Sequence, residues 1–144
     1  MSNAFETDAL KHIFQNAAVA LIGDASGLQP SATAGSLYIS LHTADPGEAG
    51  DQSTSEATFT SYARVAVART SAQWPESAGT VSNANTITFP ASTGGSNTIT
   101  HVGIGASASG AGKLLFSAAL SVSKSIASGD TFSFAASGLQ ISLD

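Results

Sequence analysis

Near the start of the chain, Leu10, Ile13, Phe14, Ala17, Ala18 and Leu21 recur at helical spacing, with Lys11, Gln15 and Asn16 between them. This stripe predicts one amphipathic helix over 5–22. Asn3 with Glu6 has the spacing of a capping box, and Glu6 and Asp8 suit the positive end of a helix. Gly23–Gly27 breaks the pattern, and 28–35, with Pro30, reads as a loop. From Leu37 the period becomes two. Leu37, Ile39 and Leu41 alternate with Tyr38, Ser40 and His42, and Ala63, Val65 and Val67 alternate with Tyr62, Arg64 and Ala66. Further strands are predicted at Ile87–Phe89, Thr98–Ile104, Lys113–Leu120, Thr131–Ala135 and Leu139–Leu143, with weaker signals at Thr58–Thr60 and around Trp74 or Val81. Turn signals lie between them at Ala78-Gly79, Gly94-Gly95, Gly110–Gly112, Ser128–Asp130 and Ser137-Gly138. The expected fold is mainly β: an antiparallel two-sheet sandwich, a jelly roll as first choice, with one N-terminal α-helix. Two parts are expected, a helix and connecting arm over 1–35 and a β-sandwich over 36–144.

Composition sharpens this picture. Gly, Ala, Ser and Thr make up more than half of the chain, and charged residues only 10%. Small side chains let backbones approach closely and suit a protein that sits against other copies. Trp74 is expected to plug the core, with Phe5, Phe14, Phe116, Phe132 and Phe134 around it. The net charge is −5, and the five cations, Lys11, Arg64, Arg69, Lys113 and Lys124, are scattered. They make no basic stripe, so no nucleic-acid partner is expected. An acidic surface is repelled by anionic membranes, and no apolar run is long enough to span a bilayer, so no membrane partner is expected. Glu6 and Asp8 stand where the basic start of a signal peptide would lie, so no secretory leader is expected. The chain has no cysteine, and hence no thiol nucleophile.

Candidate chemistry is sparse. His42, Asp45 and His101 could serve a hydrolase only beside a held nucleophile, and no Gly-x-Ser-x-Gly element occurs. Acids outside 45–56 are too few to suggest the paired carboxylates of a glycosidase. Asp45, Glu48, Asp51 and Glu56 cluster in one loop, as a hard cation would require, but their spacing is not that of an EF-hand and Pro46 restricts the loop. Gly105–Lys113 superficially resembles a phosphate-binding loop, yet Ser107 stands at its first glycine and Leu114 replaces the magnesium-contacting hydroxyl. No enzyme activity, metal or cofactor is expected. The acidic loop reads as a solvated or partner-facing segment. Arg64 and Arg69, five apart and so on opposite faces of a regular strand, could pair with it within the chain or across a subunit contact. The candidate partner contacts are therefore Asp45, Glu48, Asp51, Glu56, Arg64 and Arg69, with Phe5, Leu10 and Phe14 on the helix.

The runs Ser36–Thr43, Ala44-Asp-Pro-Gly-Glu-Ala-Gly50, Tyr62–Trp74, Ile87-Thr-Phe-Pro-Ala-Ser-Thr-Gly-Gly95, His101-Val-Gly-Ile-Gly105 and Gly112-Lys-Leu-Leu-Phe116 resemble a family of small tailed-bacteriophage proteins. Some members are labelled tail-fibre proteins, and others resemble jelly-roll cement, or decoration, proteins. The resemblance covers about 36–143 and implies a non-enzymatic virion protein. Its first implication is a homo-oligomeric clamp on the outer capsid surface that bridges neighbouring major capsid protein subunits. The alternative is a tail-fibre or baseplate receptor-binding domain. A fibre usually needs a coiled-coil or repeat-built shaft, which the chain lacks, so the clamp is the first expectation.

Overall fold

In a computed structural model, residues 1–143 are described. One helix is followed by nine strands: α1 (Asn3–Gln15), β1 (Ser36–His42), β2 (Val65–Ala68), β3 (Glu76–Ser77), β4 (Thr80–Ser82), β5 (Ile87–Thr88), β6 (Asn97–Gly105), β7 (Leu114–Ile126), β8 (Ser133–Phe134) and β9 (Gln140–Ser142). They form a four-stranded sheet ordered β2-β1-β6-β7, a three-stranded sheet β3-β4-β9 and a two-stranded pair β5-β8. The ladders β1–β6, β6–β7, β3–β4 and β4–β9 are antiparallel. The fold is thus mainly β, antiparallel and sandwich-like, with one N-terminal helix, and is compatible with a jelly roll.

The chain divides into two compact units that do not follow its order. The first unit comprises Met1–Ser36, Ala68–Ile87 and the segment from Phe134 onward. The second unit comprises Leu37–Val67 and Thr88–Ser133.

In the first unit, α1 lies against β3 and β4. Its core holds Leu10, Phe14, Val19, Trp74, Val81 and Leu139. Trp74 is fully buried, as expected, and meets the Phe14 ring edge-on at 4.9 Å. Leu10 and Phe14, read as partner contacts, are also fully buried and spend their apolar surface here. Phe5, expected both in the core and at a contact, is 44% exposed and so not in the core. The β3–β4 hairpin turns on Ala78 and Gly79, both at positive φ (51° and 78°), the geometry a two-residue loop needs to match strand twist. Glu76 steadies this turn by accepting from Gly79 N–H at 2.9 Å, and its other oxygen lies 3.3 Å from Lys11 Nζ. Asn83, only 1% exposed, spans this unit: its Oδ1 accepts from Leu139 N–H, and its Nδ2 donates to Asn85 O and Ala135 O, each at 2.8 Å.

The helix is shorter than its apolar stripe. It stops because Asn16 turns left-handed (φ 54°). Asn16 Oδ1 and Nδ2 then exchange hydrogen bonds with Ser31 N–H and O, both at 2.9 Å, and Ala17 N–H reaches back to Lys11 O. That is a Schellman-like stop with Asn where Gly is usual. Val19 instead forms an isolated bridge with Leu28, and Leu21 is 81% exposed. No capping box forms: Asn3 lies inside the helix and the N-cap, Ser2, makes no side-chain cap bond. Arg69 satisfies the carbonyls at the far end. Its Nε donates to Ile13 O and Nη2 to His12 O, both at 2.6 Å, and Nη1 to Ala34 O at 3.1 Å. Arg69 therefore caps the helix and does not pair with the acidic loop.

In the second unit, Leu37, Ile39, Leu41, Ile99, Val102 and Ile104 form the apolar side of the sheet core. An aromatic group follows in which Phe59, Tyr62, Phe89 and Phe132 meet pairwise at 5.3, 6.2 and 5.9 Å. Phe59 and Phe89, not among the aromatics expected in the core, are 3% and 1% exposed. β7 runs six residues past its expected end. Between the pairs Ile99↔Lys124 and His101↔Ala119, β6 contributes only Thr100 while β7 contributes 120–123, a wide bulge.

Replacing Arg69 by Ala leaves three carbonyls without their donor. We expect a loss of about 2 kcal/mol in unfolding free energy, with reduced helical signal, measured by urea denaturation under circular dichroism.

Candidate functional site: the acidic loop and its buried arginine

The loop between β1 and β2 carries the four clustered acids, and the structure gives them different tasks. Asp45 Oδ1 accepts from Gly47 N–H at 2.9 Å, an Asx turn at Pro46. Asp51 Oδ1 accepts from Ser53 N–H (2.8 Å) and Ser53 Oγ–H (2.6 Å). The Ser53 hydroxyl and backbone bonds hold the Asp51 carboxyl below its usual range. Glu48 is exposed. Glu56 turns inward.

Glu56 and Arg64 form a bidentate pair, Nε to Oε1 at 2.6 Å and Nη2 to Oε2 at 2.7 Å, with the arginine side chain only 2% exposed. Two further guanidinium hydrogens go to backbone carbonyls. Nη1 donates to Ser107 O (2.9 Å) and Nη2 to Gly110 O (2.7 Å). Tyr62 O–H donates to Glu56 Oε1 at 2.9 Å, while its oxygen accepts from Leu41 N–H at 3.0 Å. Burial, ahead of the neighbouring carboxylate, drives the Tyr62 hydroxyl pKa well up. The hydrogen bonds that Arg64 donates to Glu56 raise that of its guanidinium. One ion pair thus ties β1, the acidic loop, the approach to β2 and the β6–β7 loop together.

Gln52, fully buried, is the second pin. Its Oε1 accepts from Ser107 N–H at 2.9 Å, its Nε2 donates to Tyr38 O at 3.3 Å, and its own N–H donates to Gly112 O at 2.9 Å. Gly105 makes room for it: a Cβ there would lie 2.1 Å from Gln52 Cδ. The run Gly105–Lys113, superficially like a phosphate loop, thus turns carbonyls toward a guanidinium, the opposite polarity to a phosphate cradle.

Beside this lies a histidine–serine contact. His42 is fully buried, and its Nδ1 is 2.8 Å from Thr54 O. A carbonyl only accepts, so Nδ1 carries the proton and Nε2 accepts from Ser40 Oγ–H at 2.8 Å. The pair has the atoms of a nucleophile and base but no access. A Cβ on Gly103 would already lie 2.5 Å from Ser40 Oγ and 2.6 Å from His42 Nε2. His101 faces His42 across the β1–β6 ladder, and its Nδ1 meets Thr100 Oγ1 at 2.9 Å. Among the described residues, no three His, Asp or Glu side chains converge to hold a metal. An open groove of about 650 Å³ is lined by Thr43, Ser96, Asn97, Thr98, Ser125, Ile126 and Ala127, none of them ionisable. Asn97 Oδ1 there is committed to Thr58 and Phe59 N–H.

The loop therefore retains Asp45, Glu48 and Asp51 at its outer side, whereas Glu56 and Arg64 form its internal lock. Gln52 and Tyr62 were missed as site residues because an uncharged amide or a phenol in a loop gives no periodic signal. The glycines that make room for Gln52 were the available hint.

Removing the arginine strands a carboxylate and two carbonyls. Arg64→Ala should cost about 3–5 kcal/mol, and Arg64→Lys should recover only part of it because a point charge cannot make the fork; chemical denaturation measures both. Burial is the main cause holding the His42 pKa below 6.5. The neutral ring's contribution to stability is fully present above about pH 6.5 and is lost as pH falls through the lowered folded-state value. Thermal melts from pH 7.5 to 4.5 should show this loss, and His42→Gln should flatten that part of the profile.

No curated protein matches the chain. A family described as "Podophage GP4 fiber I protein gp80" matches residues 1–142. A match over nearly the whole chain shows that it belongs to this family of phage structural fibre proteins.

Proposed function

We propose that the protein is a non-enzymatic module of the phage fibre apparatus, which presents its acidic loop to a neighbouring virion subunit or to a host surface component. The match of the fibre family over residues 1–142 carries this reading. The site supports it in chemical terms. The inward groups, Glu56, Arg64, Tyr62, Gln52 and His42, are engaged with one another or with backbone, so they stiffen the loop. The outward Asp45, Glu48 and Asp51 sit on turns that hold them in place. A rigid, acidic projection suits a basic partner, because little ordering entropy remains to be lost on binding.

The capsid clamp is the second reading, and one observation fits it as well as it fits a fibre. The longest helix spans 13 residues and no heptad pattern runs through the chain, so no shaft is built from the described residues. In a fibre, that feature fits a tip or an attachment collar. On a head, it fits a many-copy clamp.

Labelling the protein in intact virions and imaging them separates these readings. Label at the tail or fibres supports the proposal; label spread over the head in many copies replaces it with the clamp. Glu48→Lys, which touches none of the internal bonds, should leave the melting temperature unchanged and reduce incorporation into virions or attachment to host cells. Unchanged incorporation and attachment would mean that the loop is only a solvated surface.

A further inference from the structure

Strand β7 stands apart from the rest of the second unit. It is the last strand of the sheet β2-β1-β6-β7, so one of its edges has no neighbouring strand within that sheet. Of its 13 residues only Ile126 is buried, and residues on both alternating sets, among them Leu115, Ser117, Ala118 and Ala119, are exposed. Its composition offers little of the usual protection against pairing, since Lys124 is its single charge and it holds no proline. One protective device is present, the bulge at 120–123, within which Val122 is 76% exposed. Regular pairing to β6 runs through Phe116–Ala119 (His101↔Ala119 to Ile104↔Phe116), and resumes at Leu114 after a shift.

Charge singles out the occupant. The chain carries ten acids and a net charge of −5, yet none lies between Glu76 and Asp130. The β6–β7 hairpin falls within this acid-free stretch. A contact made by β7 with itself therefore involves a strand that contributes no carboxylate. An antiparallel edge is also self-complementary about a two-fold axis, because each N–H faces a C=O of the same strand in the other copy.

We propose that β7 is a self-association edge, pairing antiparallel with β7 of a second copy about an axis near Ser117. That register sets Leu114 opposite Leu120, Leu115 opposite Ala119 and Phe116 opposite Ala118 of the other copy. Lys113 falls opposite Ser121, so no like charges meet. The contact is small. About seven paired residues at roughly 3.3 Å each, along an edge about 10 Å thick, cover on the order of 230 Å² per copy. This is well below the roughly 800 Å² per partner of a stable interface. The pairing is therefore weak and reversible in dilute solution and gains strength where many copies are held side by side. It is independent of whether the protein sits on a fibre or on a head.

The absence of native cysteine makes the test clean. Only the residue on the two-fold axis faces its own copy, with Cα atoms about 4.5–5.5 Å apart and within disulfide reach; identical residues two or more positions away lie farther apart. Single variants Ser117→Cys, Ala119→Cys and Ser121→Cys, oxidised in the full chain, should give covalent dimer with yield peaking at or beside Ser117. Ser26→Cys, an exposed position outside this hairpin, sets the collisional background. Adding Leu115→Lys to the Ser117→Cys variant should cut the dimer yield about tenfold by placing a charge in the paired edge. Sedimentation of the unmodified protein should show mass rising reversibly with concentration. Yields equal to that of Ser26→Cys at all three positions overturn the proposal. So does association that Leu115→Lys leaves unchanged in a variant with an unaltered circular-dichroism spectrum.

Discussion

A guanidinium withdrawn from water must find an acceptor for its hydrogens and a counter-charge, and in this protein Arg64 imposes that requirement on the second unit. Its fork takes both oxygens of Glu56, and its remaining reach takes the carbonyls of Ser107 and Gly110. Those partners come from two long loops that have few apolar residues of their own. Gln52 is another side chain that joins these two loops. With the arginine, both loops are drawn over the polar face of β1, where Ser40 and His42 are shut away from solvent. The buried imidazole follows from that closure, and so does the phenol of Tyr62, held between a carboxylate oxygen and a backbone amide.

Periodicity carried the reading of the fold a long way. β1 and β6 could be placed almost to the residue, because alternation of large aliphatic and small polar side chains leaves one interpretation. The turn at Ala78-Gly79 was likewise legible, since a glycine beside a small residue satisfies its two positive φ angles. The helix was overextended for a definite reason: Ala17, Ala18 and Leu21 continue the stripe, and nothing local announces that Asn16 will turn left-handed and exchange bonds with Ser31, fifteen residues away. The end of β7 was missed for the converse reason. Of its last six residues only Ile126 is buried, so no alternating burial pattern marks them.

The candidate site was legible in part. Four acids in one loop are visible in any reading, but charge alone does not distinguish Glu56, which faces a buried arginine, from Glu48, which faces solvent. That distinction depends on pairing to Arg64 and on the carbonyls of a loop more than forty residues later. Arg69 shows the same limit: five positions from Arg64 and chemically identical, it serves the carbonyls that end a helix. Membership of a phage fibre family fits a chain whose ionisable groups divide between internal fasteners and a few outward carboxylates.

The two engaged guanidinium groups, Arg64 buried and Arg69 half-buried, also decide how a trypsin-like protease would meet the folded chain. Of its five basic residues, Arg64 and Arg69 are held by acceptors on several sides, and Lys11 sits on a helix beside Glu76. Lys113 and Lys124 remain, both exposed and both in the β6–β7 hairpin. Exposed loop residues are where nicking begins. A cut after Lys113 would sever the connection immediately beyond the segment whose carbonyls hold Arg64. Digestion would thus begin at the one place where a single broken peptide bond frees the far side of the central ion pair, and the second unit would be expected to lose its resistance to cleavage soon after the first cut.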